Sequence, residues 1–147
     1  MATINEVTIV LVEDNEGHAR LIEKNLRRGN LANPIVNLED GQRALEYFFG
    51  EEGYANTRHH PPVLVLLDLN LPVVDGYQVL EKMKSDDRTK TVPIIILTTT
   101  DDPHEITRCY ELGCNVYVTK PVEYQQFAEA IARLGLFLSV VMLPDEG

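Results

Sequence analysis

The sequence predicts an α/β protein with one five-stranded parallel sheet and helices on both of its faces. Three observations carry that prediction. A strand-like run followed by a helix-like run recurs five times. The first, third and fourth strand-like runs are apolar throughout rather than alternating, as strands are when both faces are covered. No Pro/Gly-rich linker divides the 147 residues, a length that suits one domain. Residues 1–147 are therefore expected to form a single domain, with a core over about 7–138 and a C-terminal extension over 139–147.

The elements follow in order. Val7–Val12 (VTIVLV) is a short β-branched run. Asn15 then offers an N-cap, and Ala19, Ile22 and Leu26 form a helical stripe that ends near Gly29. Pro34–Leu38 is a weaker strand, and Asp40 caps a helix carrying Ala44, Leu45 and Phe48. Val63–Leu67 is the third strand. The helix after Asp75-Gly76 has Val79, Leu80 and Met83 on one face. Pro93–Leu97 is the fourth strand. Ile106, Cys109 and Tyr110 indicate a helix ended by Gly113. Asn115–Val118 is the fifth strand, and the last helix starts near Val122 with Tyr124, Phe127, Ala128 and Ile131 facing inward. The longest irregular stretch, Gly50–Pro62, holds His59 and His60, which read as solvated loop residues.

Composition excludes several functions. Thirteen basic and 23 acidic residues give a net charge of −10, which repels nucleic-acid phosphates and anionic lipid. The greasy run Leu134–Leu143 is ten residues long, whereas a spanning helix needs about 20. The N-terminus shows no secretion signal, so a cytoplasmic protein with Cys109 and Cys114 reduced is expected.

In open α/β sheets, sites form outside the carboxyl ends of the strands. Glu13 and Asp14 follow the first strand, Asp68 the third, Thr98, Thr99 and Thr100 the fourth, and Thr119 and Lys120 the fifth. Three carboxylates, hydroxyls and a lysine thus converge on one edge. Carboxylates this close repel each other, by about 4 kcal/mol for a pair about 4 Å apart at an effective dielectric near 20. Either one is protonated or a cation neutralises them. Oxygen ligands without thiolate or imidazole point to a hard cation, Mg²⁺, and Mg²⁺ to phosphate chemistry. An aspartate can attack a phosphoryl group and hold it as an acyl phosphate, with a lysine neutralising the transferring oxygens.

The segments LVEDN (Leu11–Asn15), LLDLNLPVVDG (Leu66–Gly76), ILTT (Ile96–Thr99) and YVTKP (Tyr117–Pro121), in this order, resemble the receiver domains of two-component response regulators of the chemotaxis-regulator type. The resemblance covers about Val7 to Leu138. It implies a flavodoxin-like (βα)5 fold with strand order 2-1-3-4-5. It also implies Asp68 as phosphoacceptor, Asp14 as a direct Mg²⁺ ligand, Glu13 as a helper through water and the backbone carbonyl of Asn70 as a third protein ligand. Thr98 corresponds to the switch hydroxyl, Lys120 to the lysine that contacts the phosphoryl group, and Tyr117 to the aromatic that changes rotamer. Pro121 in the family follows a cis bond, and Pro72 and Gly76 shape the loop. Thr99 stands where many relatives have alanine and narrows the space beside the site. The long Gly50–Pro62 loop, the absence of an effector domain and the C-terminal tail resemble small regulators that partner phytochrome-type histidine kinases.

The expected function is phosphoryl acceptance from a sensor histidine kinase and conformational switching of the face built from the fourth helix, fifth strand and fifth helix. The apolar tail residues Phe137, Val140, Val141 and Met142 suggest a homodimer through that face. Two rivals stand beside this reading. Haloacid dehalogenase-like phosphatases need a second aspartate two residues after the nucleophile, where this chain has Asn70. A receiver-shaped binding module that does not phosphorylate finds its support in Thr99.

Overall fold

The structure, a computed structural model, describes residues 7–28, 31–57, 62–99, 101–120, 123 and 125–129. Five strands form one parallel sheet in the order β2-β1-β3-β4-β5: β1 (Thr8–Val12), β2 (Ile35–Leu38), β3 (Val63–Asp68), β4 (Ile94–Thr98) and β5 (Val116–Thr119). Helices α1 (Glu16–Arg28), α2 (Gly41–Phe49), α3 (Gly76–Ser85) and α4 (Pro103–Glu111) connect them, and residues 125–129, the described part of α5, are helical. The expected order and the parallel pairing are both present.

Apolarity on both faces of the central strands has the cause anticipated for it. Ile9, Leu11, Leu64, Leu66, Ile95 and Leu97 pack on one face against Ala19, Ile22 and Leu26 of α1 and Phe127 of α5. The alternate residues Val10, Val12, Val65, Leu67, Ile94 and Ile96 pack on the other face against Phe48, Val79, Leu80, Met83 and Cys109 of α2, α3 and α4. Period-2 side-chain alternation with helices on each side requires an apolar residue at every strand position. Edge strand β2 has β1 on one side only, and its residues are correspondingly less buried.

The helix ends follow their local chemistry. Asn15 Oδ1 accepts from the His18 amide at 3.0 Å, Asp40 Oδ1 from Arg43 at 2.7 Å, and Asp102 Oδ1 from His104 at 2.9 Å. Asp75 and Gln78 form a reciprocal capping box. At the end of α4, the Cys114 amide donates to the Cys109 carbonyl and the Gly113 amide to that of Tyr110, each at 3.0 Å. This is a Schellman turn, and Gly113 takes the positive φ of 103° that it needs. Cys109 and Cys114 are free and buried around this helix end, as expected.

Cys109 is the buried residue of α4, and Tyr110 beside it is 45% exposed. The helix is docked on the sheet along a narrow stripe, so its neighbouring aromatic faces solvent. The Gly50–Pro62 loop contains a 3-10 turn over Tyr54–Asn56. His59, His60, Thr100, Pro121, Val122, Tyr124, Ile131 and the C-terminal run lie outside the described residues. Among the described residues, no helix is long and apolar enough to cross a membrane.

Candidate functional site

The site arises from strand register. Val12 pairs with Leu67, Asp68 with Leu97, and Thr98 with Thr119. Parallel strands that start level also end level, so residues up to 107 positions apart meet at one edge. Asp68 is the last residue of β3 and is buried, as are Glu13 just beyond β1 and Thr98 at the end of β4. The Glu13 amide is held by the Leu38 carbonyl at 3.0 Å, and the Lys120 amide by the Thr98 carbonyl at 2.7 Å.

Carboxylate oxygens of Glu13, Asp14 and Asp68 lie within 4.8 Å of one another, with Asp14 exposed at the mouth. Lys120 Nζ donates to Glu13 Oε1 and, at 3.2 Å, to Asp68 Oδ2. Burial pushes the Glu13 carboxyl up to about 7; the neighbouring Asp68 adds to this and Lys120 opposes it. A buried carboxyl that resists ionisation beside another carboxylate is a group that a hard cation would stabilise. The donor set therefore suits a divalent ion with oxygen preference.

The segment after Asp68 is tightly specified. The Asn70 amide donates to Asp68 Oδ1 at 3.3 Å, and the Gly76 amide returns to the Leu69 carbonyl at 3.0 Å. A Cβ on Gly76 would stand 2.3 Å from the Asp68 carbonyl oxygen, so glycine is required by close backbone approach. Between them, the Val74 amide donates to the Pro72 carbonyl at 2.7 Å around Val73, whose φ is 67°. That is a γ-turn of the rarer, strained form, centred on a β-branched residue that is 87% exposed.

Tyr117 is half-buried on β5, and its hydroxyl hydrogen-bonds the Thr98 side chain. Burial raises its phenol above the ordinary value. Thr99 is exposed. Tyr77 at the start of α3 donates to Glu105 Oε1 at 3.2 Å and lies 4.0 Å beneath the Arg108 guanidinium, which ties α4 to α3. Sequence reasoning placed Glu13, Asp14, Asp68, Asn70, Thr98 and Lys120 together, and the structure brings them together. It missed His18, whose Nδ1 lies 3.3 Å from Lys120 Nζ. The available signal was its position in the first turn of the helix that starts beside Glu13 and Asp14. A surface groove of about 440 Å³ lies elsewhere, along α2 and the 3-10 turn.

The description "Response regulator receiver domain" matches residues 9–132. The chain belongs to this family. A response regulator receiver domain from Rhodospirillum rubrum is 53% identical, with 94% of this chain and 97% of that chain covered and a TM-score of 0.74. The phosphorylated cyanobacterial phytochrome response regulator RcpA is 35% identical, with coverage of 95% and 99% and a TM-score of 0.71. The Mn²⁺-bound form of response regulator Rcp1 is 31% identical, with coverage of 95% and 99% and a TM-score of 0.70. Bacteriophytochrome response regulators are also among the structural neighbours. The flavodoxin-like receiver fold and the two-component signalling class are thus shown, and such domains are signalling proteins rather than conventional enzymes.

Proposed function

We propose that this receiver accepts a phosphoryl group on Asp68 from a partner histidine kinase, of phytochrome type, with Mg²⁺ held by Glu13, Asp14, Asp68 and the Asn70 carbonyl. The observation that carries the reading is a buried aspartate at a strand end, sharing one lysine with a second buried carboxylate and lying within 4.8 Å of a third. Mg²⁺, when bound, supplies charge neutralisation for the transferring oxygens. Lys120 adds a fixed positive charge at the same point. The relatives' names support both parts: one is a phosphorylated phytochrome regulator and another is Mn²⁺-bound.

Phosphorylation adds about −1.5 to −2 charge beside Thr98 and Lys120. In this reading Thr98 turns its hydroxyl to the phosphoryl group and gives up Tyr117. Tyr117 then rotates, and the face made by α4, β5 and α5 repacks as a shift between two states. The shallow seating of α4 suits it to move. Output goes to a partner or a second copy; a homodimer through this face and the C-terminal segment completes the proposal, and the setting is the cytoplasm.

Intact mass after incubation with Mg²⁺ and acetyl phosphate tests it. A Mg²⁺-dependent phosphate adduct on the native chain, and none on Asp68→Asn, is the expected result. If both chains stay unmodified, with a histidine kinase as donor as well, the chain is a receiver-shaped binding module.

A further inference from the structure

A lysine ammonium has three hydrogens to donate and nothing with which to accept. Lys120 is nearly buried, its side chain 8% exposed, and among the described residues three acceptors stand around its Nζ: Glu13 Oε1, Asp68 Oδ2 at 3.2 Å and His18 Nδ1 at 3.3 Å. Because the ammonium can only donate, a hydrogen bond across this contact requires Nδ1 of His18 as the acceptor, with the ring proton on Nε2. The imidazole is placed by the start of α1, where Asn15 Oδ1 caps the His18 amide. It leans over the mouth, half-exposed and 4.0 Å from Glu13 Oε1, too far for a hydrogen bond with that residue.

The three acceptors differ in what phosphoryl transfer does to them. In that reaction the bond from phosphorus to the donor's leaving atom breaks, an imidazole nitrogen in a phosphohistidine or an acetate oxygen in acetyl phosphate, and the leaving group takes the electron pair. A phosphorus–oxygen bond forms to the Asp68 carboxylate, and no proton or electron is left over. Asp68 therefore loses a carboxylate oxygen as a partner for Lys120, and Glu13 is in the carboxylate set that would hold a divalent ion. His18 alone of the three is neither phosphorylated nor part of the carboxylate set. We propose that His18 is a positioning residue for Lys120: it accepts one ammonium hydrogen throughout, so that the hydrogen released by Asp68 points at the incoming phosphoryl oxygen. This rests on the reading of Asp68 as phosphoacceptor.

The test is the rate of adduct formation from acetyl phosphate at saturating Mg²⁺, followed by intact mass, for the native chain, His18→Ala, His18→Phe, His18→Asn and Asp68→Asn. Urea unfolding of each chain reports whether it is folded. Losing one acceptor slows the rate about three- to tenfold, the range a single hydrogen bond supports. His18→Ala and His18→Phe are expected to show this loss. His18→Asn, whose Oδ1 lies where Nδ1 was, is expected to restore the native rate. A native rate in His18→Ala overturns the proposal. So does recovery in His18→Phe, which would assign the effect to ring packing, or failure of His18→Asn to recover. If the native chain gains no adduct, or Asp68→Asn gains as much, the phosphoacceptor reading itself fails and takes this inference with it.

Discussion

Glu13→Gln converts the most buried member of the acidic cluster into a neutral group of the same shape. Burial raises the Glu13 carboxyl from the ordinary 4.5 to about 7, so the folded chain binds this proton more tightly than the unfolded chain does. The sign follows directly. The stability due to the protonated group is complete below about pH 4.5 and is lost as pH rises through about 7. At about 1.4 kcal/mol per pH unit, that interval corresponds to about 3 kcal/mol. Glutamine does not titrate and escapes this loss. Urea unfolding without divalent ions, at pH 5, 6, 7 and 8, is therefore expected to show Glu13→Gln gaining on the native chain by up to about 3 kcal/mol across the interval. Saturating Mg²⁺ is expected to reverse the trend, because on the proposed reading the ion would bind the folded chain with Glu13 ionised and gain affinity as pH rises. A stability difference that is flat from pH 5 to 8 would refute the reasoning, since it would mean that Glu13 is ionised in the folded chain over the whole range.

Three further outcomes are expected. Val73→Gly removes a β-branched residue from positive φ with no packing to lose; relief of about 1–2 kcal/mol exceeds the entropy of glycine, about 0.5–1 kcal/mol, so thermal unfolding should show net stabilisation. Gly76→Ala forces a methyl against the Asp68 carbonyl and the Leu69 Cα, and is expected to lower stability by at least about 1–3 kcal/mol and to slow adduct formation on Asp68. Lys84→Met keeps the stem but abandons the Lys90 and Val92 carbonyls and Asn115 Oδ1. Denaturant midpoints should report a loss of about 1–3 kcal/mol, with labelling of Asp68 retained because these groups lie at the opposite ends of the strands.

Much of this protein is written locally. Apolar runs of five or six residues give the first, third and fourth strands, and Asn15, Asp40, Asp75 and Gly113 mark helix ends through hydrogen bonds to residues three positions away. The strand-end rule then nominates Glu13, Asp14, Asp68, Thr98 and Lys120, because in a parallel sheet every carboxyl end lies on the same edge. What tertiary structure alone decided involves distance and depth. That Lys120 reaches Glu13, Asp68 and His18 at once depends on three strands and a helix meeting, and no periodicity encodes which side chain leans over the mouth. That Glu13 lies deeper than Asp14 depends on the direction the chain takes as it leaves β1, so its raised carboxyl could not be read from two adjacent acids. That Val73 is strained and Tyr110 exposed follows from how the loop closes on Gly76 and how narrowly α4 is seated. Sequence spacing determines what each segment can form. Close packing of the segments determines which of those groups lose water and meet a partner, and here that is what makes the site.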